Sequence, residues 1–253
     1  MYGDPLARFE RDVDMLSGRE NVTVYRGLGA SESGYPIFVV RAGSGGDCLM
    51  SFGRIHGNEQ NTTPGIMSTL DYLTREEPGL LDGISYVAVP CLNPDGARLN
   101  TRRNAKRVNI NRDFGVYGSR GTGFASSEAR AARRIMEEFR PLYVMDHHNC
   151  GQDGFYCLGS SNSDYLRGPV EDMLLSKVSE AGFRTSPADC GDTHWRCELV
   201  NYASWHYCSG TITEVPGVKE SAEGIAIHKV ADLAALRFLT TLKKQAGMQS
   251  PTV

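Results

Sequence analysis

The chain has 253 residues, of which 40% are hydrophobic and 23% charged, and its formal net charge is −3. Those values suit a globular protein with a sizeable core; they exclude disordered, fibrous and strongly basic nucleic-acid-binding classes. The opening MYGDPLARFERDVDMLSGRE carries charges throughout, where a signal peptide needs an unbroken apolar stretch, and no later segment reaches a membrane span, so a soluble cytoplasmic protein is expected. Seven cysteines (Cys48, Cys91, Cys150, Cys157, Cys190, Cys197, Cys208) without a C-x-x-C pair argue against both a disulfide framework and a cysteine zinc cluster. Most are expected as reduced, buried small hydrophobes, with Cys190, Cys197 and Cys208 close enough in sequence to form a bridge or a redox-sensitive pair.

In chain order, the pattern predicts a helix over 5–17, then strands over 21–28 and 35–42 joined by GASESG as an edge hairpin. A strand over 48–55, a helix over 60–75 and a strand over 84–92 follow. Ser126 or Ser127 can cap a helix over 126–139, whose Ala132, Ile135, Met136 and Phe139 form an apolar stripe. Strands over 142–148 and 155–159, a helix over 163–181, a strand over 211–215 and a helix over 221–244 complete the chain. Residues 183–210 hold both tryptophans and little periodicity, which reads as a long functional loop. With no linker or repeat, the expectation is one α/β domain over 1–253, a central mixed, largely parallel twisted sheet with helices on both faces. Ligands in such sheets bind beyond the carboxyl ends of the strands, where His56, Asn93 and His148 fall in this reading.

RIHGNEQ places His56 and Glu59 three residues apart where a strand end passes into the first helical turn, which holds them on one side so that imidazole and carboxylate can reach one divalent ion. By itself the pair is equally a helix-start carboxylate near an incidental histidine. The turn Asn93–Pro94–Asp95–Gly96 then leads into the basic segment ARLNTRRNAKRVNINRDF, in which Asn111 and Arg112 lie between apolar neighbours and suit an anionic ligand. LYVMDHH ends a buried strand in two histidines; alternation puts Asp146 and His148 on one face and His147 on the other, and His148 would close a His, Glu, His set typical of catalytic zinc. Glu214 in TITEV shares a face with Ile212, and a carboxylate in so apolar a strand needs a role or a partner.

Together HGNE, NPDG, TRRNAKRVNINRDF, DHH and the late glutamate strand, in that order from about Ser51 to Val215, resemble the zinc carboxypeptidase family of the carboxypeptidase A type. The resemblance implies one zinc ion per chain on His56, Glu59 and His148, with Glu214 as general base and then acid. It also implies Arg102 as the oxyanion-stabilising arginine, with Arg103 the alternative by one register, and Asn111 and Arg112 as the grip on a terminal carboxylate. Glu198 is the lesser rival to Glu214. Tyr202 and Tyr207 are the candidates for the tyrosine that covers substrate, while Asp189, Asp192 or Glu198 could meet a basic group on it. His194 and His206 read as loop or surface residues, and His228 as part of the last helix.

The expected reaction is therefore hydrolysis of an amide next to the free carboxyl terminus of a short peptide or peptide-like molecule, with no nucleic acid or membrane partner. The compact length is similar to that of small intracellular relatives such as murein-peptide amidases. Two departures stand out. Asn109 occupies a position where the family usually has the aspartate that orients the first zinc histidine, and Asn149 follows the third ligand in place of serine. The alternatives are a deacylase of the succinylglutamate desuccinylase and aspartoacylase type, or a zinc-binding relative without turnover.

Overall fold

The computed structural model describes residues 5–115, 123–159, 167–186 and 198–248. Seven strands form one sheet: β1 (Val22–Tyr25), β2 (Val39–Ala42), β3 (Asp47–Phe52), β4 (Ile84–Val89), β5 (Tyr143–Cys150), β6 (Tyr156–Gly159) and β7 (Ser209–Pro216). Their spatial order is β1-β2-β4-β3-β5-β7-β6. The inner four, β4-β3-β5-β7, run parallel, and β1, β2 and β6 pair antiparallel at the two sides. This is the mixed, largely parallel sheet expected, with β1 and β2 paired at one edge.

Helices α1 (Pro5–Ser17), α2 (Thr62–Arg75), α5 (Arg167–Glu180) and α7 (Ala222–Met248) cover one face, where Phe9, Leu70, Leu174 and Leu236 join sheet residues such as Leu49 and Tyr86. The opposite face takes α4 (Ser127–Phe139) and α6 (Leu199–His206), with Ile135, Met136 and Leu199 packed on Met50, Phe52 and Val144. Successive β3 residues thus feed different cores, as strands buried on both faces must. In α4, Ser126 is the cap, its Oγ accepting the Ala129 N–H at 3.2 Å, and Arg140 in the left-handed region followed by Pro141 ends the helix.

Three local readings are corrected. Asn93–Gly96 is more than a turn: Asn93 Oδ1 accepts the Gly96 N–H at 2.9 Å and Pro94 occupies the first turn of α3 (Pro94–Leu99). The stretch read as a loop through residue 210 contains α6, whose apolar Leu199, Val200 and Ala203 were masked by the polar residues around them. His56 and Glu59 precede α2 rather than opening it. A turn closed by Glu59 N–H to His56 O, 3.1 Å, holds them together, and the helix starts at Thr62.

Below the sheet, α7 is tied in by a buried polar cluster centred on Asp232. Its carboxylate accepts from Ser51 Oγ (2.7 Å), Tyr86 OH (2.6 Å) and Thr69 Oγ1 (3.1 Å) and lies 2.9 Å from His147 Nε2. His147 Nδ1 meets Thr213 Oγ1 and His228 Nδ1 on the same side. His147 therefore faces away from His148, as strand alternation requires. No helix among the described residues is long and apolar enough to cross a membrane.

Candidate metal centre and active site

The site gathers where β3, β4, β5 and β7 end. The loop after β3 is held in place by the loop after β4: Asn93 donates its backbone N–H to Arg54 O at 3.1 Å and its side-chain amide to Ile55 O at 3.3 Å. Gly57 lies so close to α3 that a Cβ there would fall 2.0 Å from the Gly96 carbonyl carbon. HGNE and NPDG are thus two halves of one joint, which neither motif discloses alone.

His56, Glu59 and His148 converge, all buried, with one ligand atom from each lying within 4.8 Å of the others. Nδ1 of His56 lies 2.7 Å from Glu59 Oε1, and Nδ1 of His148 lies 3.0 Å from both Glu59 Oε2 and His56 Nδ1. The outer nitrogens point elsewhere. Asn109 Oδ1 is 3.2 Å from His56 Nε2, and Asp146 Oδ2 is 3.0 Å from His148 Nε2. An acceptor stands at each Nε2, joined at His148 by the Asn111 side-chain amide nitrogen at 3.0 Å, and the two Nδ1 atoms turn inward beside the Glu59 carboxylate. Two inward imidazole nitrogens and a carboxylate oxygen, each able to give a lone pair once a metal displaces the bound proton, fit zinc.

The carboxylate missing at Asn109 has a counterpart at Asp146, which is 0% exposed; it serves His148 instead of His56, at ion-pair distance but without a well-aligned hydrogen bond on either oxygen. Burial opposes charge on Glu59, but His148 and His56 outweigh it and hold this carboxyl far below its ordinary range. Burial also opposes charge on His148, yet Asp146 and Glu59 raise its pKa well above that of a free imidazole. Burial lowers the pKa of His56. Glu59 is thus held as the carboxylate that a divalent cation requires of its ligand.

Glu214 stands directly across from His148 in the β5–β7 ladder, on the same face. Part of its side chain is exposed, but Oε2 is sealed from solvent and has no partner. Burial, reinforced by Glu59 and Asp146, raises its pKa to about 7. Arg102, half-exposed, brings NH1 to 3.4 Å from Glu59 Oε1. Arg103 turns outward to Arg107 O, so of the two arginines the structure brings Arg102 to the site. Asn104 shapes this loop by accepting the N–H groups of Lys106 and Val108 and donating to the buried Glu128.

Asn111 is buried, its Oδ1 accepting the Leu199 N–H at 2.9 Å and its Nδ2 lying 3.0 Å from His148 Nε2. Arg112 pairs with Glu198 at 3.0 Å, and Asn201 donates to the other Glu198 oxygen at 2.9 Å. Burial raises the Glu198 pKa to about 7 despite Arg112 and His148. Glu198 is thus at the Arg112 end of the site, apart from the Glu214 position for which it was the rival.

The tyrosines are not brought to this group. Tyr202 is 5% exposed and packs its ring among Phe114, Phe124 and His206, because α6 turns that face into the core; Tyr207 joins the same aromatic cluster. His206 is an exposed residue at the end of α6, as expected. Asp189, Cys190, Asp192, His194 and Cys197 lie outside the described residues. Asn149, unexplained by sequence, accepts the Asn61 N–H at 3.3 Å and donates to Val215 O at 3.3 Å, joining the metal loop to β7. Cys48, Cys91 and Cys157 are buried thiols, as predicted for most of the cysteines.

Among solved structures, a metallo-carboxypeptidase from Burkholderia cenocepacia is similar over 93% of this chain and 69% of its own, with a TM-score of 0.77 at 18% identity. A metallo-carboxypeptidase from Pseudomonas aeruginosa, in complex with (2-guanidinoethylmercapto)succinic acid, matches over 94% and 68%, with a TM-score of 0.76 at 18% identity. Bovine thrombin-activatable fibrinolysis inhibitor, in complex with tick carboxypeptidase inhibitor, matches over 96% and 98%, with a TM-score of 0.73 at 12% identity. No curated protein matches the sequence. The family model for zinc carboxypeptidase matches residues 16–222, which include every residue of the site; the chain belongs to the zinc carboxypeptidase family and is a hydrolase of the metallopeptidase kind.

Proposed function

We propose that the protein hydrolyses the amide bond next to the free carboxyl terminus of a short peptide or peptide-like molecule, with Glu214 as its general base. The observation that carries this reading is the sealed, unpartnered Glu214 Oε2 facing the His56–Glu59–His148 group from the next strand. A buried carboxylate oxygen without a partner is costly and marks a position where a proton is meant to arrive. Zinc held by His56, Glu59 and His148 supplies a Lewis acid that polarises a carbonyl and lowers the pKa of water to about 7.

Glu214 takes the proton of the attacking water and returns it to the amide nitrogen as the C–N bond breaks. A base with a pKa about 7 is matched to both halves of that exchange. Arg102, half-exposed at the edge of the centre, stabilises the oxyanion of the tetrahedral adduct. Asn111 and Arg112 hold the terminal carboxylate, which fixes the scissile bond relative to Glu214. The incoming carboxylate displaces Glu198 from the Arg112 fork. Glu198 then becomes available to a cationic group of the substrate, the pairing of charges also present in the guanidino succinate bound by the Pseudomonas relative.

Glu214→Gln keeps the shape and removes the base. It should retain zinc while hydrolysis of carboxyl-terminal amides, murein-type peptides included, falls by at least about a hundredfold. Unchanged turnover would remove Glu214 from the mechanism.

A further inference from the structure

On the α1–α2 side of the molecule, a cavity of about 360 Å³ opens next to the metal loop yet shares none of the metal-binding residues. Arg54 lines it, 8% exposed, with φ at +52°, a left-handed conformation that is strained for a non-glycine residue. The Arg54 backbone N–H donates to Thr62 Oγ1 at 2.9 Å, and Nε donates to Gly57 O at 3.0 Å. No carboxylate among the described residues lies within ion-pair distance of this guanidinium. Arginine is almost never this deeply buried without a counter-charge.

The other two arginines on the wall, Arg8 and Arg19, both have carboxylate partners. Arg19 pairs with Asp71 at 2.6 Å, and Arg8 lies 3.8 Å from both Asp12 and Glu220. Three arginines and three carboxylates line the cavity, but of these arginines Arg54 alone has no ion-pair partner among the described residues, and its Nε bond to Gly57 leaves the four N–H groups of its two terminal nitrogens for an occupant, beside Phe9, Leu16 and Met67. The volume is within the usual range for small-molecule sites, about 300–1,000 Å³.

We propose that this cavity is a second binding site, separate from the active centre, for a small monocarboxylate with an apolar body. The Arg54 fork would take the carboxylate oxygens bidentately, and Phe9, Leu16 and Met67 would take the hydrocarbon. A dianion such as phosphate is disfavoured, because a single unpaired cation faces it while three carboxylates stand on the same wall. Through the Gly57 hydrogen bond, the occupant would sit one side chain away from the loop that carries His56 and Glu59.

The test is calorimetric titration of zinc-loaded Arg112→Met protein with 4-methylpentanoate, the Arg112 substitution removing carboxylate capture at the active centre. Saturable binding is expected, weakened by at least about tenfold when either Arg54→Met or Met67→Trp is added. Met67→Trp fills the cavity and leaves the Arg54–Gly57 bond intact, so the result does not depend on the loop surviving loss of Arg54. The uncharged 4-methylpentanamide and inorganic phosphate should not bind. No saturable binding in the Arg112→Met protein, retention of full affinity in either cavity variant, or equal binding of the amide or phosphate would overturn the proposal.

Discussion

Asp146→Asn separates the metal-tuning role of this carboxylate from any role in holding the fold. Asp146 Oδ2 lies 3.0 Å from the outer nitrogen of His148, is fully buried, and has no well-aligned hydrogen bond to lose. Loss of a carboxylate behind a metal-binding histidine weakens metal affinity by about 10–100-fold, which converts to about 1.4–2.7 kcal/mol. The fold should not suffer equally, since the substitution also removes a negative charge that Glu198 and Glu214 both feel. Competition titration with a zinc chromophore reads the affinity, and thermal unfolding of the chelated protein reads the fold. The expected pattern is weaker zinc with little change in Tm for the chelated protein, the lost pairing with His148 being offset by relief at Glu198 and Glu214. The reciprocal change, Asn109→Asp, adds the carboxylate at His56 Nε2 and should tighten zinc. Unchanged zinc affinity in Asp146→Asn, or a loss explained wholly by unfolding, would refute the reasoning.

Gly57→Ala forces a methyl to within 2.0 Å of Gly96 backbone, a clash costing about 1–3 kcal/mol or more, and should lower both Tm and zinc occupancy; unaltered metal analysis would show the joint to be looser than described. Asp232→Leu strands three hydroxyl donors and His147 and should cost about 3–5 kcal/mol by urea denaturation, whereas Tyr86→Phe, removing one donor, should cost only about 1 kcal/mol. Glu198 has its folded pKa raised to about 7 from an ordinary 4.5. The unfolded chain therefore gives up this proton first as pH rises, and the stability tied to the protonated carboxyl is lost between about 4.5 and 7. In chelated protein, the stability of Glu198→Gln relative to the parent should rise across that window and level off above it; a flat difference would show that Glu198 ionises as readily folded as unfolded.

Much of the fold was written in the apolar runs. Buried strands such as 48–52 and 84–89 announce themselves because both faces need hydrophobic residues, and Ser126 with the Ala132, Ile135, Met136 stripe fixes α4. Helices α3 and α6 were missed for opposite reasons: Pro94 and Gly96 are turn residues that here serve a cap and a close contact, and α6 is short and interrupted by polar side chains.

At the site, strand alternation was enough to place His148 and Asp146 on one face and His147 on the other. The pairing of Glu214 with His148 was not legible, because register between distant strands is a tertiary property. The same limit hid the transfer of the outer carboxylate from position 109 to Asp146, the contact of Glu198 with Arg112, and the burial of Tyr202 among Phe114 and Phe124. Arg54 carried no signal at all, since an arginine near the end of the strand predicted over 48–55 reads as an ordinary strand-end charge until its burial is known.

The most direct test is zinc content by elemental analysis together with amine release from a panel of carboxyl-terminal amides, murein-type peptides included, before and after chelation. About one zinc per chain, and release that stops with chelator and returns when zinc is restored, is the predicted result. Protein that binds no zinc, or release indifferent to its removal, would contradict the assignment of His56, Glu59 and His148 as the metal centre.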